Sequence, residues 1–261
     1  MGVLNVTPDS FSDGGRWFDP EAAVAHGLQL VAEGADIVDV GGESTRPGAE
    51  PVSEDEERRR VVDVVRRLAP HVRVSVDTRK AEVARAAVEA GATLVNDVSA
   101  SLWPVAAECG VGWVAMHMQG EPRTMQAAPH YDDVVAEVRR YLLERAEAAR
   151  RAGVAEVWLD PGIGFGKTLD HNLALLGRLS ALVEAGYPVV VGTSRKSFLG
   201  RLTAHPFGPE AGDAPVGDRL EASVATAAWA LAQGASMVRV HDVAPTVAAA
   251  RLLAQEATRT R

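Results

Sequence analysis

The stretch VRVSVDTRKAEVARAAVEAGATLVN, residues 72–96, holds a strand, a helix and a second strand in one run. Val72 to Val76 carry alternating valines and end in a carboxylate, Asp77; residues 79–90 are rich in Ala, Glu and Arg and read as a helix; Gly91 closes it. The next run, Thr93 to Val95, ends in an amide, Asn96. Working outward, the same unit recurs. Further apolar runs stand at Val3-Leu4, Ile37 to Val40, Trp113 to Met116, Val157 to Leu159, Val189 to Val191 and Met237 to Val240. Their polar endings include Asn5, His117, Asp160, Ser194 and Arg239. Helical stretches are expected at 20–34, 53–69, 102–109, 132–152, 169–185, 217–233 and 243–258, with Gly34, Gly153, Gly186 and Gly234 just past the ends of several. Eight strand-then-helix units in 261 residues predict an α/β fold, a (β/α)8 TIM barrel forming one domain over 1–261. Such barrels carry their chemistry at the C-terminal ends of the strands, where these polar endings fall.

Composition narrows the partners. The chain is 47% hydrophobic, enough for a large core, yet no apolar stretch approaches the roughly 18 residues that cross a bilayer. No basic region leads into an apolar one, and Val6 stands where a myristoylation motif wants Ser or Thr, so no membrane association is expected. Cys109 is the only cysteine, which excludes an internal disulfide and fits a cytoplasmic location. The net charge of −8 repels polyanions and argues against nucleic acid as a partner. Of the 27 basic residues only Lys80, Lys167 and Lys196 are lysines, and two of the three lie in loops after strands. There a compact ammonium does what a planar guanidinium does not.

Three post-strand segments exceed the usual 2 to 6 residues of a βα connection: Thr7–Asp19, Gly41–Val52 and Thr203–Val216. Gly14-Gly15 offers the first a hinge, while the third reads as a surface insertion rich in Pro, Gly and Ala. The run Gly162-Ile-Gly-Phe-Gly-Lys-Thr168 looks like a Walker A loop but fails on spacing, because Pro161 occupies the position of its first glycine. A nucleoside-triphosphate machine is therefore not expected; a glycine-rich loop beside a barrel active site is, with Phe165 either a wall of it or packing beneath it.

Asp77, Asn96 and Asp160 converge at strand ends, where two carboxylates and an amide read the donor and acceptor edge of a flat heterocycle. Ser194-Arg-Lys-Ser197 and Arg239-Val-His241 follow the seventh and eighth strands, the usual barrel site for an anionic group. Thr45 and Arg46 reach the same rim from the second loop, and Asn5 suits a hard cation such as Mg2+ shared with phosphate oxygens. For Arg239 the competing reading is an ion pair with Asp242 or another neighbour.

Seven motifs in order, from MGVLNVTPDSFSDGG at 1–15 through GGESTRPG at 41–48, SVDT at 75–78, NDV at 96–98, DPGIGFGK at 160–167 and SRKSFLG at 194–200 to VRVHD at 238–242, resemble the dihydropteroate synthases, a family of pterin-binding enzymes. The resemblance spans essentially the whole chain; in the family several residues usually precede the first strand, which here begins at Met1. It implies a TIM barrel that joins 6-hydroxymethyl-7,8-dihydropterin diphosphate to 4-aminobenzoate, giving 7,8-dihydropteroate and diphosphate, with sulfonamides as competing analogues. It implies a pterin site at Asp77, Asn96, Met116, Asp160, Gly192 and Lys196 and a diphosphate and Mg2+ site at Asn5, Thr45, Arg46, Arg239 and His241, Asn5 being the metal ligand. The aminobenzoate positions are Phe11, Thr45, Pro47, Phe165, Lys196 and Ser197. Asp77, Lys196, Arg239 and His241 would carry the catalysis, an SN1-like displacement in which diphosphate leaves before the arylamine attacks. A homodimer is also implied, and the small-residue face of Ala222, Ala225, Ala228 and Trp229 offers a surface for it.

Three rivals share these residues in part. A corrinoid-linked methyltetrahydrofolate methyltransferase would use the pterin slot but not Ser44 to Gly48 or Ser194 to Ser197. A Schiff-base aldolase would use Lys196 as its nucleophile. A non-catalytic pterin-binding paralogue should have lost diphosphate or loop residues, and none is lost here.

Overall fold

The computed structural model describes residues 1–7, 19–44, 51–203 and 215–259. Among these, β1 (Gly2–Asn5), β2 (Ile37–Gly41), β3 (Arg73–Asp77), β4 (Leu94–Asp97), β5 (Gly112–Met116) and β6 (Val157–Asp160) form one parallel sheet in chain order. β7 (Val190–Val191) pairs in parallel with β8 (Met237–Val238). Two bridges join the pieces: Leu159 to Val189 on one side and Gly2 to Val240 on the other. Val3 N donates to Val240 O at 2.9 Å and Leu159 N to Pro188 O at 2.9 Å, so the eight strands close on themselves into a barrel.

Alternation along the strands sorts the side chains. Val38, Val40, Val74, Val76, Val95, Trp113 and Leu159 pack outward into the main core beneath the helices. Ile37, Leu94, Val114, Val190 and Met237 point inward and plug the lower barrel with Met1. With a period of two, Asp39, Ser75, Asp77 and Asn96 fall on the inner face above that plug.

The helices follow the expected order: α1 (Pro20–Ala32), α2 (Glu54–Leu68), α3 (Ala81–Glu89), α4 (Trp103–Cys109), α5 (Val134–Arg151), α6 (Leu169–Gly177), α7 (Ser180–Val183), α8 (Ser197–Thr203), α9 (Leu220–Ala232) and α10 (Val243–Arg259). Asp19, Ser53, Asp133 and Thr168 cap four of them by accepting backbone N–H bonds. Gly34, Gly91, Gly153, Gly186 and Gly234 all take positive φ at the helix-to-strand turns. Two expectations need correction. The helix expected at 169–185 is broken at Arg178, after the poor helix former Gly177, into α6 and α7. A further long post-strand segment, between β5 and α5, joins those named from the sequence and packs against the glycine-rich loop.

Candidate active site

A cleft of about 340 Å³, counting its part open to solvent, lies at the C-terminal ends of the strands. Asp77, Asn96, Val98, Met116, Asp160, Phe165, Gly192, Lys196 and Arg239 line it. All six positions expected for the pterin are here, together with Phe165 and Arg239. A broader, shallow depression between α2 and α3, lined by Asp55, Arg58, Arg59, Arg66 and Glu89, sits on the outer helices and not at the strand ends.

The floor is an alternation of charge. Arg239 donates from Nε to Asp39 Oδ2 at 2.6 Å and from Nη2 to Asp77 Oδ2 at 2.7 Å. Asp242, the partner considered for Arg239 from the sequence, pairs instead with Arg195. Asn96 Nδ2 donates to the same Asp39 Oδ2 at 2.9 Å. Burial pushes the Asp77 carboxyl up to about 7 even though Arg239 pulls it down. Asp160 accepts from Gly162 N at 2.7 Å, and its carboxyl too is raised by burial, against the pull of Lys196. Burial lowers the Lys196 ammonium to about 8, with Asp160 holding it up in part. Its Nζ donates to Ile163 O and stands 4.6 Å from the Phe165 ring centre, a cation–π contact.

The loop that carries Ile163 and Phe165 owes its shape to glycine. A Cβ on Gly162 would lie 1.9 Å from His117 O and one on Gly166 2.3 Å from Gln119 O, and both residues have positive φ. Only glycine lets the segment after β6 press so closely on the segment after β5. Lys167 then turns inward: its Nζ reaches Gly162 O at 2.9 Å, Phe165 O at 3.0 Å, His117 O at 3.2 Å and His117 Nδ1 at 3.0 Å. The lysine of this Walker-like run thus binds its own loop. Lys80 does similar work for the second long loop, tying Glu43, Glu57 and Val52 O together at its stem.

Asn5 ends β1 and is half-buried. His241 faces Ser194, with Nδ1 and backbone N each 3.1 Å from Ser194 Oγ. Ser197 is exposed at the start of α8. Phe11, Thr45, Arg46 and Pro47 lie outside the described residues. Asp39 was not singled out from the sequence, because it sits inside an apolar run and not at its end; the signal that finds it is strand alternation, which turns it inward.

Residues 1–241 match the model of the pterin binding enzyme family. The dihydropteroate synthase of Mycobacterium leprae is 50% identical, over 97% of this chain and 91% of that protein. The Xanthomonas albilineans dihydropteroate synthase with 4-aminobenzoic acid superposes with a TM-score of 0.88 at 49% identity, covering 98% of this chain and 92% of that one. The Yersinia pestis enzyme with a sulfonamide drug complex gives a TM-score of 0.90 at 45% identity, covering 100% and 94%. A barrel with a charged cleft at its strand ends, matched over nearly its full length by these proteins, belongs to the pterin-binding enzyme family, among the dihydropteroate synthases.

Proposed function

We propose that this chain, working as one domain, condenses 6-hydroxymethyl-7,8-dihydropterin diphosphate with 4-aminobenzoate. The C–O bond from the pterin methylene to diphosphate breaks, a C–N bond to the arylamine forms, and the nitrogen loses one proton. The observation that carries this reading is the pair of carboxylates, half-buried Asp77 and buried Asp160, beside Lys196 and Arg239 in a single cleft.

These carboxylates are poorly solvated in the free protein, which is why both are raised. A dihydropterin that becomes cationic as diphosphate leaves restores them to strong ion partners, so their attraction grows toward the transition state. Lys196 adds a donor to the same cleft, and Phe165 presents a flat wall to the aminobenzoate ring. Arg239, with Nε and Nη2 held by carboxylates, is fixed in direction and offers Nη1 to the leaving group. An arylamine is neutral at physiological pH, so no strong base is needed for its attack.

The donor set suits Mg2+ brought with the diphosphate. Among the described residues no three His, Cys, Asp or Glu side chains cluster for a metal, while Asn5 supplies one amide oxygen at the rim. That matches a cation which keeps waters and phosphate oxygens as most of its ligands; when bound it neutralises the departing charge. His241, Thr45 and Arg46 are assigned to the same anion, and Phe11, Pro47 and Ser197 to the aminobenzoate.

A homodimer is supported by apolar residues left exposed on α9 and α10, with Trp229 51% and Leu252 68% exposed. Among the described residues no helix is long and apolar enough to cross a membrane. The acidic balance and single cysteine favour a cytoplasmic setting. The test is a coupled assay of diphosphate release. Release that requires 4-aminobenzoate and is strengthened by Mg2+ supports the reading; binding of pterin without any turnover would leave only a pterin-binding protein.

A further inference from the structure

Asp39 is fully buried and does not line the cleft, yet it touches two residues that do. Both of its bonds use one oxygen: Oδ2 accepts from Asn96 Nδ2 at 2.9 Å and from Arg239 Nε at 2.6 Å. The other oxygen, Oδ1, has no hydrogen-bond partner among the described residues, and neither has Ser75 Oγ, on its register neighbour in β3. A carboxylate kept only for stability would be expected to satisfy both oxygens, since a buried unpaired acceptor is costly. Asp39 is kept buried with one of them unmatched among the described residues.

An ionised carboxylate only accepts hydrogen bonds. Asn96 must therefore direct its NH2 down toward Asp39, which turns its Oδ1 up toward the cleft. We propose that Asp39 is a positioning residue: through Asn96 and Arg239 it fixes the cleft so that an amide oxygen, and not an amide NH2, meets the bound heterocycle. The cleft then offers acceptors from Asn96, Asp77 and Asp160, with Lys196 as donor. This selects a ring edge rich in N–H groups and rejects one that places a carbonyl opposite Asn96. The inference rests on the reading of the cleft as the pterin site, and it locates part of the specificity beneath the site, in a residue that never touches the ligand.

Two measurements test it. In the wild-type free protein, the Asn96 side-chain amide, assigned by its loss from the NMR spectrum of Asn96→Ala, should exchange with water markedly more slowly than an exposed amide. Exchange at the exposed rate would overturn the proposal, whether or not any ligand binds. Calorimetry with pterin-6-carboxylate then compares Asp39→Ala with Asp39→Asn. Loss of the acceptor in Asp39→Ala should weaken binding on the order of 10- to 100-fold. Asp39→Asn keeps an acceptor oxygen and should recover most of that loss. Wild-type affinity in Asp39→Ala, or no recovery in Asp39→Asn, would overturn the assignment. Failure of the wild-type protein to bind the pterin would count against the cleft, leaving the exchange measurement to decide on Asp39.

Discussion

Lys167 reaches three carbonyls and an imidazole nitrogen, whereas Lys196, on the next post-strand segment, donates to one carbonyl and faces an aromatic ring; both feel the Asp160 charge. Burial lowers the pKa of both ammonium groups. The difference lies in what surrounds them. Lys167 is sealed behind the glycine-rich loop, with Tyr131 donating to Gly166 O at 2.8 Å and His117 stacked edge-on against Tyr141. Lys196 opens onto the cleft. A perturbed pKa therefore marks two kinds of place in this barrel, one that shapes a loop and one that faces an open cleft, and the neighbours tell them apart.

The largest effect should come from the open region. Arg239→Ala leaves Asp39 and Asp77 without their shared cation, and breaking a buried pair costs roughly 3 to 5 kcal/mol. Calorimetry should show the pterin diphosphate affinity falling by two orders of magnitude or so, with a lower thermal midpoint. An unchanged affinity alongside a lowered midpoint would make Arg239 structural and move it to the sealed class.

Next in size is the sealed region. Lys167→Met strands several buried acceptors at once and should lower stability by about 2 to 4 kcal/mol, read by denaturant unfolding. A variant as stable as wild type would show that the carbonyl cage contributes nothing to the fold.

Asp160→Asn should be milder. It preserves shape but turns an NH2 toward the donors of the heterocycle, costing roughly 1 to 3 kcal/mol of pterin affinity by titration. Wild-type pterin binding would remove that carboxylate from the site.

The smallest effect is a slope. Burial, aided by the Lys167 charge, holds the His117 imidazole down at about 3, below its ordinary 6.5. Between those values the unfolded chain binds a proton that the folded chain refuses, so this residue takes away stability as pH falls from about 6.5 toward 3. Thermal midpoints measured across that window should fall less steeply in His117→Asn than in wild type. Parallel curves would show that His117 titrates freely and the cage is open.

Much of this was legible in the sequence because it is local. Strand ends place Asp77, Asn96 and Asp160, and helix-closing glycines such as Gly91 and Gly153 need only their own backbone geometry. Lys167 was not legible in the same way: its contacts with His117 span 50 positions, and nothing in Gly162 to Lys167 tells whether the ammonium faces a phosphate or its own carbonyls. Asp39 hid for a different reason, since a single polar residue in an apolar run stands out only when alternation is tracked from Ile37 through Gly41. The segment after β5 has turn signals in Gly120 and Pro122, but neither marks how far it extends before the helix expected from 132. Phe11 and Pro47 rest on the family resemblance alone, while Thr45 and Arg46 also have their place in the second long loop.

The comparison of the two lysines meets its most direct test in one side-by-side titration of pterin-6-carboxylate into Lys196→Met and Lys167→Met, below both thermal midpoints. Lys196→Met should bind at least roughly tenfold more weakly than wild type, as expected for a lost charge-assisted donor, while Lys167→Met stays within about threefold. Intact binding in Lys196→Met with binding lost in Lys167→Met would contradict the account and place the ligand behind the glycine-rich loop.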